Sequence, residues 1–315
     1  MNATVKLTLP ARPPFSLSTV AKSHGWVRLA PFSFALRQAQ DTAQGGPFGT
    51  DERTGGLTRV EQLDSGRVIE MRIHEVANDV SVEVDGQLSV TEREEVTRKV
   101  QWMLGLDEDF SAFYALAREE PRLAHIETKA QGRILRSPTL FEDVVKTILT
   151  TNTRWAGTIR MVEALVSQFG ASLPTDPTRH AFPTPDQLAA TDEETLRSAA
   201  RLGYRTPYVL ELARSVASGD LDLEALKTAD IPTPQLRKRL LALKGVGEYA
   251  AACLLMLLGR YDFVPVDSWA LKMVSHEWYG GEPVGRAEVE AAFERWGEWK
   301  GLAYWFWDWS YAGET

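Results

Sequence analysis

Apolar and polar positions change their period once along the chain. Across residues 76–84 they alternate, with Val80, Val82 and Val84 set against Ser81 and Glu83, the spacing of a half-buried strand. Leu57–Leu63 and Arg67–Ile73 read as two more strands, joined through the turn residues Asp64-Ser65-Gly66, and Asp85-Gly86 ends the third. From about Thr91 the period lengthens to that of helices. One runs to Leu104 behind the capping-box-like Thr91-Glu92-Arg93-Glu94, and another covers Ser111–Arg118. Ser137-Pro138-Thr139 introduces a strongly apolar helix, Phe141–Leu149, with Val144, Val145 and Ile148 on one face. Thr150-Thr151-Asn152-Thr153 then interrupts it, since four short polar residues compete with helical hydrogen bonding, and Trp155–Phe169 resumes. The expected fold is α+β, mainly α: an N-terminal antiparallel sheet domain over residues 1–90, followed by an all-helical domain over 91–315. Residues 1 to 40 carry prolines and aromatics without clear period, and Gln40–Gly56 reads as a loop.

Three further helices follow Phe182-Pro183-Thr184-Pro185, with Leu202-Gly203-Tyr204-Arg205 between two of them. The densest signal lies in Gln235–Val274. Leu236, Leu240, Leu241 and Leu243 share the buried face of an amphipathic helix, with Arg237, Lys238 and Arg239 turned outward. Gly245-Val246-Gly247 breaks that helix in a tight hairpin, and a second helix starts at Glu248 and runs to Leu258. A helix-hairpin-helix therefore spans about 235–258. The free amides and positive dipole end of its second helix suit a phosphate oxygen. Pro265 sets up a turn, and Asp267 stands directly before another helical run.

The order L-x-x-L-x-G-V-G (Leu240 to Gly247) followed by V-P-V-D (Val264 to Asp267) resembles the helix-hairpin-helix (Gly/Pro-Asp) DNA glycosylase superfamily. Leu104-Gly105-Leu106-Asp107, Ser137-Pro138 with its helix, the Thr150–Asn152 loop and L-G-Y-R at 202–205 occur in the order seen in alkyladenine (3-methyladenine) DNA glycosylase II and in 8-oxoguanine DNA glycosylase. The resemblance covers roughly residues 90 to 310. It implies a base-excision enzyme that flips a damaged base from double-stranded DNA and cleaves its N-glycosidic bond. Asp267 would be the catalytic carboxylate, stabilising an oxocarbenium-like transition state and orienting water. Gly245, Val246, Gly247 and Lys244 would bind the DNA backbone. Asn152 would be the wedge, although its amide can equally satisfy a helix end, and Arg205 would face the partner base or simply form a salt bridge.

One departure bears on the reaction. Bifunctional members carry a Schiff-base lysine two residues after the second hairpin glycine, where this chain has Tyr249. Hydrolysis without lyase activity is expected, with Tyr249 and Trp269 as an aromatic pocket for an alkylated purine. The alternatives are an oxidised-base glycosylase without the lyase step and a non-catalytic binder of damaged DNA.

Composition narrows the remaining choices. The chain has 315 residues, of which 44% are hydrophobic and 25% charged, enough for one or two ordinary cores. No run approaches a membrane span and the first residues lack a signal-peptide core, so a cytoplasmic, nucleoid-associated monomer with no membrane partner is expected. The lone Cys253 excludes the four-cysteine iron–sulfur cluster of some superfamily branches, and the five histidines show no zinc spacing. No cofactor or metal is expected beyond the monovalent cation that relatives hold on hairpin carbonyls. A net charge of −8 argues against a broad nucleic-acid coat. Between Arg237 and Arg260, however, Arg237, Lys238, Arg239, Lys244 and Arg260 face only Glu248, a local excess of basic residues.

Overall fold

The computed structural model describes residues 4–35 and 56–309. The predicted Gln40–Gly56 loop thus lies, apart from Gly56, outside the described residues. An antiparallel five-stranded sheet forms from β1 (Thr4–Pro10), β2 (Phe32–Ala35), β3 (Gly56–Gln62), β4 (Val68–Val76) and β5 (Asp79–Asp85), in the order β1-β5-β4-β3-β2. Two of these strands come from the aromatic N-terminal stretch whose pattern showed no strand. A short helix, α1 (Leu17–Ala21), and a single 3-10 turn, Gly25–Arg28, connect β1 to β2. Val80, Val82 and Val84 are fully buried, as the alternation requires. Val76 closes β4 rather than opening β5: Ala77 turns the chain in a left-handed conformation, φ 55°.

The first long helix, α2 (Val90–Leu104), starts two residues earlier than its sequence suggested. Ser89, not Thr91, is the cap: its hydroxyl accepts from Glu92 N at 3.2 Å and Glu92 Oε2 accepts from Ser89 N at 2.9 Å. Then come α3 (Ser111–Ala117), α4 (Leu140–Thr150) and α5 (Trp155–Phe169). A small hairpin of β6 (Ser172–Leu173) and β7 (Asp176–His180) precedes α6 (Pro185–Ala189), α7 (Glu193–Ala200) and α8 (Thr206–Ala217). The chain continues through α9 (Thr233–Leu241), α10 (Glu248–Leu257), α11 (Ser268–Trp278), α12 (Arg286–Phe293) and α13 (Lys300–Phe306). No helix among the described residues is long and apolar enough to cross a membrane.

One continuous apolar core runs from Val5 in the sheet to Trp309 after α13. At its centre α4 is buried on every side, so even its charged residues have no solvent. They are matched instead. Arg59 of β3 donates to Glu142 at 2.6 and 3.0 Å and to Glu61 at 2.7 Å, while Lys146 pairs with Glu142 at 2.6 Å and Lys99 of α2 with Glu61 at 2.9 Å. Burial alone would raise the Glu142 carboxyl, but Arg59 and Lys146 pull it down to about 2. This ion-pair chain ties α2, β3 and α4 into one unit and fixes the sheet against the helices.

Candidate active site

Between the β1–β2 connection and the helices a cleft of about 950 Å³ opens. Its walls come from widely separated segments: the turn at His24–Trp26, the end of α4 with the loop after it, Tyr204 and Tyr208, the α9–α10 hairpin, the first turns of α10, Asp267, and Trp305 of α13. The hairpin is built as its two glycines suggest, but they are not equivalent. Gly245 has φ +86°, and a Cβ there would lie 2.8 Å from the Tyr208 ring, so conformation and space both require glycine. Gly247 is extended, and a Cβ there would meet nothing within 4 Å. Val246 anchors the turn from within the core, its amide donating to Leu243 O at 3.1 Å. Gly247 caps α10 without a side chain, leaving the first amides of that helix free of side-chain caps.

Asp267 caps α11, with Oδ1 accepting from Ala270 N at 2.8 Å. It also borders the cleft, and among the described residues no other donor claims this carboxylate. Capping and display go together, because the side chain is held by the helix end it starts. Tyr249 and Cys253, one turn apart on α10, border the same space. The neighbouring Cys253 thiol, burial and the Asp267 carboxylate hold the Tyr249 phenol well above its ordinary range. Burial pushes the Cys253 thiol up to about 12, and burial together with Asp267 raises Tyr304 as well. Asp267 is therefore surrounded by groups that stay protonated. The cleft walls include no lysine or arginine among the described residues.

Residues 145–298 match the family model described as HhH-GPD superfamily base excision DNA repair protein. The chain carries an HhH-GPD domain. That domain contains the hairpin, Tyr249, Cys253 and Asp267, but not His24, Trp26 or Trp305. Over 182 residues the chain is 26% identical to the DNA-3-methyladenine glycosylase of Bacillus subtilis, covering 57% of this chain and 59% of that protein. The match thus spans less than two thirds of that relative. Among solved structures, the 3-methyladenine DNA-glycosylase of Archaeoglobus fulgidus aligns with a TM-score of 0.70 at 21% identity, over 96% of this chain and 97% of the other. The 8-oxoguanine glycosylase/lyase of Clostridium acetobutylicum, bound to double-stranded DNA, aligns at 0.61 and 22%, over 81% and 88%. At these identities the structures establish a shared fold.

Within the HhH-GPD domain, some residues expected at the site do not reach the cleft. Trp269 is turned outward on α11, where its ring meets Tyr304 and Trp309 edge-on at 6.2 and 5.4 Å, so it does not border the cleft as a base-pocket wall. Arg205 is buried rather than presented to a partner. Its guanidinium donates to Thr151 O and lies 4.4 Å over the Tyr204 ring, bracing the loop from behind. Lys244 pairs with Glu211 at 2.7 Å on the surface outside the cleft, and Arg237 pairs with Glu248. The basic excess counted along the sequence is thus partly neutralised by Glu211, brought from α8, beyond the Glu248 already counted. Asn152 does border the cleft, in a left-handed conformation (φ 47°), and its Nδ2 donates to Tyr204 Oη at 3.2 Å.

Several wall residues had gone unnoticed in the sequence. Half-exposed Tyr204 stands beside Arg205 in the L-G-Y-R segment and joins Thr151 and Asn152 through its hydroxyl. Trp26 donates its indole N–H to buried Asp143 at 2.7 Å. His24 is held neutral, its imidazole lowered to about 4 by burial, with Lys146 adding to the effect and the Leu135 carbonyl opposing it. No periodic pattern surrounds these N-terminal residues, and only the tertiary fold carries them to the site. No group of three or more His, Cys, Asp or Glu side chains among the described residues could hold a metal ion.

Proposed function

We propose that this chain is a monofunctional DNA glycosylase of base excision repair, binding double-stranded DNA as a monomer and hydrolysing the N-glycosidic bond of an alkylated purine. The observation that carries the reading is the charge of the cleft: Asp267 lies beside protonated Tyr249 and Cys253, with no lysine or arginine in the described walls. An alkylated purine is often cationic and already a good leaving group. A site with an acidic wall, Asp267 and the Arg237-paired Glu248, and aromatic faces attracts it without strong acid catalysis. As the sugar gains oxocarbenium character, the Asp267 carboxylate stabilises the charge and orients the attacking water. The absence of an amine from the described walls leaves nothing there to form a Schiff base with the sugar.

The hairpin amides around Gly245–Gly247 are suited to a DNA phosphate, and the Thr150–Thr153 loop with Asn152 and Tyr204 to the space the flipped base vacates. A monovalent cation would draw on hairpin carbonyls such as those of Leu243 and Gly247, each of which accepts an amide and keeps a second lone pair. Its charge would strengthen phosphate binding there. The test is base release from duplexes that each carry one defined lesion, followed by borohydride. Release of an alkylated purine, leaving an intact abasic strand and no trapped adduct, is expected. Release of 8-oxoguanine alone would favour the oxidised-base alternative, and an efficient covalent adduct would overturn the monofunctional reading.

A further inference from the structure

We infer that His24, contributed by the N-terminal segment outside the matched HhH-GPD region, is a specificity-determining residue whose Nδ1 accepts an N–H from the edge of the extruded base. The inference rests on the glycosylase reading and names the part of the lesion that the site recognises. His24 borders the cleft. Its Nε2 lies 2.6 Å from Leu135 O. A carbonyl can only accept, so the proton of the neutral ring is on Nε2 and Nδ1 is left as an acceptor. Burial keeps the ring neutral, so Nδ1 does not itself become a donor near pH 7.

Nothing in the described structure occupies that acceptor. His24 stands at the N-cap of the 3-10 turn Gly25–Arg28 but makes no side-chain cap bond. No donor reaches Nδ1, yet it is not among the polar atoms shut away from solvent without a partner. Nδ1 therefore faces open space, and the open space that His24 borders is the cleft. The ring is also unusually well fixed. Ser23 Oγ accepts from Leu135 N at 2.9 Å, Trp305 Nε1 donates to Ser23 O at 2.9 Å, and Trp26 packs on the imidazole with centroids 4.6 Å apart. An acceptor held this firmly at the wall of an aromatic cleft can select by hydrogen bonding, because a base lacking the matching donor leaves it unpaired once water is expelled. The ligand class is an alkylated purine with an exocyclic amino group, such as an alkylated adenine.

Two substitutions separate reading from anchoring. His24→Gln keeps a donor near the Nε2 position for Leu135 O but moves its acceptor away from the Nδ1 position, whereas His24→Asn keeps an acceptor near Nδ1 and loses the anchor. Affinities are measured for duplexes bearing 3-methyl-3-deazaadenine, which resists hydrolysis, the same nucleotide without its 6-amino group, and a tetrahydrofuran abasic site. Wild type is expected to prefer the amino-bearing analogue by roughly five- to tenfold. His24→Gln should abolish that preference and His24→Asn retain part of it, with abasic-duplex binding and thermal melting reporting an intact fold. Preference retained in a folded His24→Gln, or absent in a wild type that does release alkylated purines, overturns the inference. Failure of wild type to release any lesion base would instead overturn the glycosylase reading, and the inference with it.

Discussion

Trp26 and Asp143 meet through a 2.7 Å hydrogen bond from the indole N–H to Oδ1, which fixes one wall of the cleft to the buried helix α4. Oδ1 also accepts from Ser137 N at 3.0 Å, while Oδ2 has no partner. Burial accordingly raises the Asp143 carboxyl from 3.8 to about 6. The Ser137 amide and the Trp26 indole both favour the ionised carboxylate, but they only partly offset its burial.

The pH dependence of stability follows with opposite signs at two residues. Asp143 is raised from 3.8 to about 6, so between those values the folded state holds a proton that the unfolded chain has released, and stability falls as pH rises. His24 is lowered from 6.5 to about 4, so in that window the unfolded chain holds the extra proton and stability rises with pH. Each contribution is of the order of 2–3 kcal/mol. Urea unfolding at pH 4.5 and 7 should show that His24→Gln lowers the gain in stability on going to pH 7, while Asp143→Asn increases it. Identical pH differences in all three proteins would show that neither group titrates abnormally.

Asp267→Asn should abolish base release while leaving duplex affinity within a few-fold of wild type. Asparagine caps helices about as well as aspartate, so α11 should start normally and the melting temperature should stay close to that of wild type. Loss of the Asp267 negative charge is then the only substantial change. Turnover above about a tenth of the wild-type rate would remove Asp267 from the catalytic role.

The two hairpin glycines should respond differently to alanine. Gly245→Ala places a Cβ against Tyr208 at a left-handed position and should cost about 1–3 kcal/mol, with weakened binding of lesion and undamaged DNA alike. Gly247→Ala, extended and facing open space, should fold as wild type. Circular dichroism melts and fluorescence anisotropy on both variants distinguish the two positions, and equal destabilisation would refute the assignment.

Removing one charge from the buried chain should be severe. Arg59→Met strips Glu142 of its bidentate partner and Glu61 of one of its two cations, at a cost of about 3–5 kcal/mol in urea unfolding. A milder effect would mean that the carboxylates find water or protons when their partner is lost.

The sequence by itself determined the helix-hairpin-helix and its position. Two glycines around Val246 cannot continue a helix, and leucines at helical spacing on either side can only bury one face. It also determined the alternating strand Val80–Val84 and the helix end at Asp267, because local periodicity and capping chemistry depend only on near neighbours. The family resemblance rested on those same local features, and the HhH-GPD match agrees with it.

Only the tertiary structure decided which side chains share the cleft. Trp269 and Asp267 are two residues apart, yet the first turn of α11 sends one outward against Trp309 and the other to the cleft. Arg205 and Lys244 looked available for DNA until Thr151 and Glu211, distant in sequence, arrived to occupy them. His24 and Trp26 lie more than 200 residues before Tyr249, in a stretch without period, and reach the same space because the buried ion pairs of Arg59 and Glu142 hold the sheet against α4. Local pattern records what a residue's own helix or strand requires. Long-range electrostatics and packing determine which residues meet.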